Sequence, residues 1–166
     1  MAERQASDRE QVFRWPLRQI MLWLLATAAL VVGIWAQFAP QSFYTSFVFG
    51  RGWVAADGPY NEHLIRDVGG LNLALAVVTI AAARSLRPDL VRLAALSTLV
   101  FAVPHLTYHA SHLAVYGPVD VVGNLVALGL QVAVPLWLAL SPGPDTARRR
   151  AGQRAAAASS AALPRR

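Results

Sequence analysis

The chain has 166 residues, 55% of them hydrophobic, with a mean hydropathy of +0.41 and a net charge of +6. The absence of cysteine excludes disulfides, thiol catalysis, iron–sulfur clusters and Cys-based zinc sites. All 15 basic residues are arginines that flank apolar runs, with no stripe on a soluble fold, so the charge reads as membrane topology and not as nucleic-acid binding.

Residues 1–19 mix Arg4, Arg9, Arg14 and Arg18 with Glu3, Asp8 and Glu10. This pattern predicts a cytoplasmic N-terminal segment with a short surface helix, and Trp15-Pro16 suits an interfacial entry to the first span. Span one is expected over 20–37. A cleaved signal peptide is the rival reading, disfavoured by the length of the apolar run and the lack of a small-x-small site after it.

Residues 38–61 hold seven of the 15 aromatics: Phe38, Phe43, Tyr44, Phe47, Phe49, Trp53 and Tyr60. Aromatics at this density favour a membrane–water boundary, either as an anchor belt or as a lid over a pocket. Phe43 and Phe47, at i and i+4, fit a short interfacial helix that stops at Gly50-Arg51-Gly52.

Span two is expected over 62–83, with Asn61 as N-cap and Glu62 in the first turn, where the helix dipole favours negative charge. Its clean apolar stretch, 68–83, covers about 24 Å, short of a hydrocarbon core of about 30 Å. Asp67 and His63 are therefore expected at the edge of the apolar zone or inside it. A turn with Arg84, Arg87, Pro88 and Arg92 leads to span three, 90–116, which Pro104 should kink. Gly117-Pro118 break it, Asp120 opens span four at 121–140, and 141–166 reads as a disordered basic cytoplasmic tail. That tail is a candidate for contact with anionic lipid.

Four arginines lie in the N-terminal segment, three in the 84–92 turn and six in the tail, against two in 38–67 and none in 117–120. Thirteen of 15 on one side make a positive-inside pattern. The expectation is an all-α, four-transmembrane-helix bundle over 20–140 in the cell (plasma) membrane. Both termini are then cytoplasmic, and a long aromatic-rich outer connection joins helices 1 and 2.

With that topology His63, Asp67, His105, His109, His112, Asp120 and Asn124 all fall in the outer half. Counted back from Tyr116, His112 lies about 6 Å in, His109 about 10 Å and His105 about 16 Å. Asp120, Asn124 and Gln131 share a face of span four. Gly69-Gly70, Gly123 and Gly129 would let helices approach closely around a shared pocket. Intramembrane ionisable groups normally face the bundle interior and pair, which points to a pocket of His63, Asp67, His105 and His109.

Four readings fit these residues. One is a transition-metal site for zinc, copper or iron, with ligands from His63, Asp67, His105, His109 and His112. Another is haem b, held by His63 and a histidine of span three. A third is an acid/base enzyme for an apolar or lipid substrate, with His109 and Asp67 as the proton-transfer pair. The last is a structural or accessory bundle whose histidines bond only to Asp67, Asn124 or Tyr108. In each the lipid bilayer is the one partner the sequence implies. Asp120 and Asn124 are placed at the mouth of the pocket. A continuous ion path is not expected, because the inner halves of spans two and three carry only Thr79, Ser97 and Thr98.

The run Tyr60-Asn61-Glu62-His63-Leu64-Ile65-Arg66-Asp67-Val68-Gly69-Gly70, followed by Pro104-His105 and His109, resembles a type of small four-helix integral membrane protein. That family is frequent in high-GC actinobacteria and its function is uncharacterised. The chain is also loosely similar to DoxX-like four-helix proteins in size and span count, with no DoxX motif matched residue by residue. The resemblance covers residues 15–142 as architecture and transfers no catalytic residue.

Overall fold

The computed structural model describes the backbone of residues 2–141 and the side chains of residues 16–141. The basic tail therefore lies outside the described residues. Six α-helices follow one another: α1 Ala2–Phe38, α2 Pro40–Ser46, α3 Trp53–Asp57, α4 Glu62–Ser85, α5 Pro88–Ser111 and α6 Pro118–Leu140, with a 3-10 turn at Leu113–Val115. Among the described residues four helical stretches are long and apolar enough to cross a membrane: Pro16–Phe38, Glu62–Ser85, Pro88–Ser111 and Pro118–Leu140.

Local chemistry sets the ends of these helices. The Asn61 side chain accepts the Leu64 N–H at 3.1 Å, capping α4, and Glu62 follows in the first turn. Leu86, with φ 52°, closes α4 by returning its N–H to the Ala82 carbonyl. Pro88 and Pro118 start α5 and α6, where a missing N–H costs nothing. The N-terminal segment is no separate surface helix: α1 runs unbroken through Pro16 into the first span.

Span three ends earlier than the apolar run suggests. The Ser111 hydroxyl donates to the Thr107 and Tyr108 carbonyls, and His112 Nδ1 lies 2.8 Å from the Tyr108 oxygen. These side chains satisfy the last carbonyls and stop α5 at Ser111. His105 then lies about 9 Å from the helix end, well short of the 16 Å depth expected from Tyr116.

One end of the bundle is knitted by Arg18, which donates to the Ser141 carbonyl at 3.1 Å, and by Gln19, which donates to the Ala83 carbonyl at 3.1 Å. Leu22, Ala82, Ala83, Val91, Ala94, Ala95 and Leu138 form the core there, mostly small residues that let helices close up. Arg84, Arg87 and Arg92 belong to this arginine end. Along the α1–α4 seam, a Cβ on Gly69 would stand 2.6 Å from the Gln37 nitrogen, and one on Gly33 would stand 2.9 Å from the Leu73 side chain. Gly129 has open space in front of it and Gly123 faces a tryptophan ring, so neither seats a helix.

The connection 39–61 crosses the opposite end as a strap. Phe43 packs with Ala36 and Ile65 beneath Trp35, Tyr44, Phe47 and Tyr60. Gly50 (φ 81°) and Gly52 (φ 65°) supply left-handed turns that glycine adopts without steric cost. The chain then passes to α3, which lies over α6. Outward faces carry Leu24, Val31, Val77, Val100, Val122 and Leu130, all more than half exposed.

Candidate functional site

At the strap end, α5 presents His105 and His109 one turn apart on one face. Their rings meet edge to face with centroids 4.7 Å apart, and Phe101 stacks on His105 at 5.0 Å. Both imidazoles are half-buried. No hydrogen bond reaches His105 among the described residues. His112 has left the array: it caps α5, is exposed, and stacks on Tyr108 at 4.2 Å.

Tyr116 closes the array from the α5–α6 connection. Its hydroxyl donates to the Trp53 carbonyl at 3.2 Å and lies 3.4 Å from His109 Nδ1. A phenol has one proton; with that proton on the Trp53 carbonyl, Nδ1–H of His109 is the donor to the phenol oxygen. The Nε2 lone pair of His109 is then the basic position. Burial pushes the Tyr116 pKa up to about 12, with smaller contributions from the charge of Asp57, from Tyr108 and from Asp120. Tyr116 thus keeps its phenolic proton across the neutral range.

Asp57, at the end of α3, acts electrostatically on His105, His109 and Tyr116. Its carboxylate makes no ion pair or hydrogen bond among the described residues. Asp120, by contrast, is fully engaged: its Oδ1 accepts Trp53 Nε1–H at 2.8 Å and pairs with Arg51. Arg51 in turn is held more firmly protonated by that carboxylate. The Trp53 ring lies over Gly123, where a Cβ would meet it at 3.2 Å. Strap, α3 and α6 are locked together through these contacts. One turn further along α6, Asn124 is 2% exposed and its Oδ1 has no hydrogen-bond partner among the described residues.

His63 and Asp67 stand apart from this array. Their side chains are 86% and 59% exposed, and they face each other along α4 at 3.3 Å. The expected pocket of His63, Asp67, His105 and His109 is therefore not assembled, and the acid whose charge reaches the two histidines of α5 is Asp57. The physical reason is the face of α4 on which they lie. At i and i+4 on α4, His63 and Asp67 share one exposed face and satisfy each other there, so neither turns toward α5. Among the described residues no three His, Asp or Glu side chains converge as a metal site, and the expected five-residue ligand set is not formed. The haem reading also loses its second axial ligand, because it paired His63 with a histidine of α5.

Between α4 and α5 an open apolar groove of about 390 Å³ is lined by Leu71, Leu75, Ser97, Val100, Phe101 and Pro104, with His105 at its end. That size suits an elongated apolar molecule. Asp57 and Trp53 were not singled out from the sequence. The signal available was that Asp57 is the lone acid of the aromatic connection, in a strap with a single arginine, Arg51. No known protein family, curated protein or solved structure matches the chain.

Proposed function

We propose that this is a multi-pass protein of the cell membrane, with both termini cytoplasmic, that binds a lipid-like amphiphile in the outer half of the bilayer. Orientation is supported by the arginines: Arg18, Arg84, Arg87 and Arg92 cluster at one end, with Arg51 and Arg66 at the other, so the strap end faces outward. Outward apolar faces support the membrane setting, since only 22%, 28%, 28% and 17% of the most apolar stretch of the four spans is buried.

The observation that carries the binding assignment is the apolar groove ending on His105. An acyl chain in the groove brings its polar head to His105, His109, Tyr116 and Asp57, beneath the strap. The strap then acts as a lid toward the outer aqueous phase, and entry is sideways from the bilayer.

A second reading is an acid/base enzyme on the same ligand. It is favoured by the Tyr116–His109 contact, in which Nε2 of His109 serves as base and the Tyr116 phenol as acid. A metal or haem as ligand would rest on His105 and His109 alone.

Native mass spectrometry of protein released from mild detergent tests the proposal. Retained lipid is expected on the wild type and is expected to be lost in His105→Ala and Ser97→Trp. An absorption spectrum and metal analysis of the same sample separate the readings: a Soret band or stoichiometric metal, lost in His105→Ala, would replace the amphiphile with a cofactor.

A further inference from the structure

Beside the groove, at the level of Leu75, lies a second cavity of about 60 Å³. Leu25, Ala28 and Ala29 of α1 form one wall. Asn72 and Thr79 of α4, Thr98 of α5 and Gln131 of α6 line the same space with polar side chains. Asn72, Thr79 and Thr98 are 4%, 2% and 7% exposed, so these groups have no access to bulk water.

Their hydrogen-bonding inventory is only partly filled. Asn72 Nδ2 donates to the Val68 carbonyl at 2.9 Å, which leaves one amide proton and the whole Oδ1. The Thr79 and Thr98 hydroxyls donate to the Leu75 and Ala94 carbonyls at 2.7 and 2.9 Å, which leaves their oxygens as acceptors. The Gln131 amide makes no hydrogen bond among the described residues, and it offers two donors and an acceptor. Donors and acceptors are thus mixed and no charge is present. A metal cation would be repelled by the amide protons, and a lipid tail would leave the unfilled donors and acceptors of Asn72 and Gln131 unpaired. Water satisfies both kinds, and the space holds about two molecules at roughly 30 Å³ each.

We propose that this cavity is an internal water site shared by all four spans, with Leu75 as the partition between it and the groove. Leu75 lines both spaces, so its side chain is the wall separating buried water from the His105 groove. The water site stands on the cavity alone and does not require an amphiphile in the groove.

Water-edited solid-state NMR on the isotope-labelled full chain in lipid bilayers reads this directly. In the wild type, magnetisation from water is expected at the side-chain amides of Asn72 and Gln131 and at the Thr98 methyl. Ala29→Leu fills the cavity, so it is expected to abolish that transfer and to lower the thermal midpoint, because buried amides lose their partners. Should Ala29→Leu not fold, Ala28→Val makes the same test with a smaller addition. Leu75→Ala is expected to add water transfer to Ser97 and His105. Absent transfer in the wild type, or a raised midpoint on filling, overturns the water site. Unchanged transfer in Leu75→Ala overturns the partition.

Discussion

Arg51 and Asp120, 69 residues apart, form an ion pair on the same carboxylate oxygen that accepts the Trp53 indole N–H. This one oxygen fastens the strap to the start of α6. Breaking it is expected to free the strap without unfolding the spans, because the helix seams lie elsewhere. Limited trypsin digestion checks this: Asp120→Ala is expected to speed cleavage after Arg51 several-fold, with the four spans intact. Asp120→Asn, which can still accept the indole N–H, is expected to show an intermediate rate.

The α1–α4 seam depends on Gly69. A methyl group there meets the Gln37 backbone, which cannot rotate away as a side chain would. Gly69→Ala is expected to cost about 1–3 kcal/mol, the usual range for overpacking a close contact. Gly70→Ala and Gly129→Ala are expected to be near neutral, since a Cβ at Gly70 reaches only the Gln37 side chain at 3.8 Å and one at Gly129 meets nothing. Unfolding midpoints in detergent compare the three.

The raised pKa of Tyr116 gives a pH dependence of known sign. In the unfolded chain a tyrosine ionises near 10; in the folded state Tyr116 keeps its proton until about 12. Between these values the unfolded state binds fewer protons, so its contribution to stability is full below pH 10 and is lost as pH rises through 12. Tyr116→Phe is expected to flatten the alkaline fall in stability and to remove one late-titrating phenol from the ultraviolet titration.

His63 and Asp67 serve as internal controls. They pair within α4 and are exposed, so His63→Ala and Asp67→Asn are expected to retain bound lipid at the wild-type level. His105→Ala and His109→Ala are expected to lose it. Retention measured by native mass spectrometry separates the two pairs.

The four apolar helices were legible because runs of about 20 apolar residues, bounded by Asn61, Pro88 and Pro118, leave few alternatives. The α5 terminus was not, because it depends on Ser111 and His112 folding back on carbonyls inside an otherwise unbroken apolar pattern. Helical spacing placed His105 beside His109, a contact local to one helix. The acid expected to act on them was Asp67, whereas the charge that reaches them is that of Asp57. The i, i+4 spacing of His63 and Asp67 fits a self-contained pair as well as a pocket wall, and only the path of the strap brings in Asp57. Asn72 was hidden for a similar reason, and Gln131, legible as part of a polar face with Asp120 and Asn124, gave no sign of which space it lines. Isolated amides in apolar runs acquire meaning only when packing shows that they face one cavity.

The most direct measurement is site mapping with a photoactivatable, diazirine-bearing lipid in bilayers. Irradiation is followed by peptide mass spectrometry. Binding at the groove predicts cross-links concentrated on Leu71, Leu75, Val100 and Phe101 of α4 and α5, reduced at least several-fold in Ser97→Trp and His105→Ala. Cross-links spread evenly over the outward faces of α1 and α6 as well, and unaffected by either substitution, would mean that the groove is ordinary lipid-facing surface and would contradict the proposed binding site.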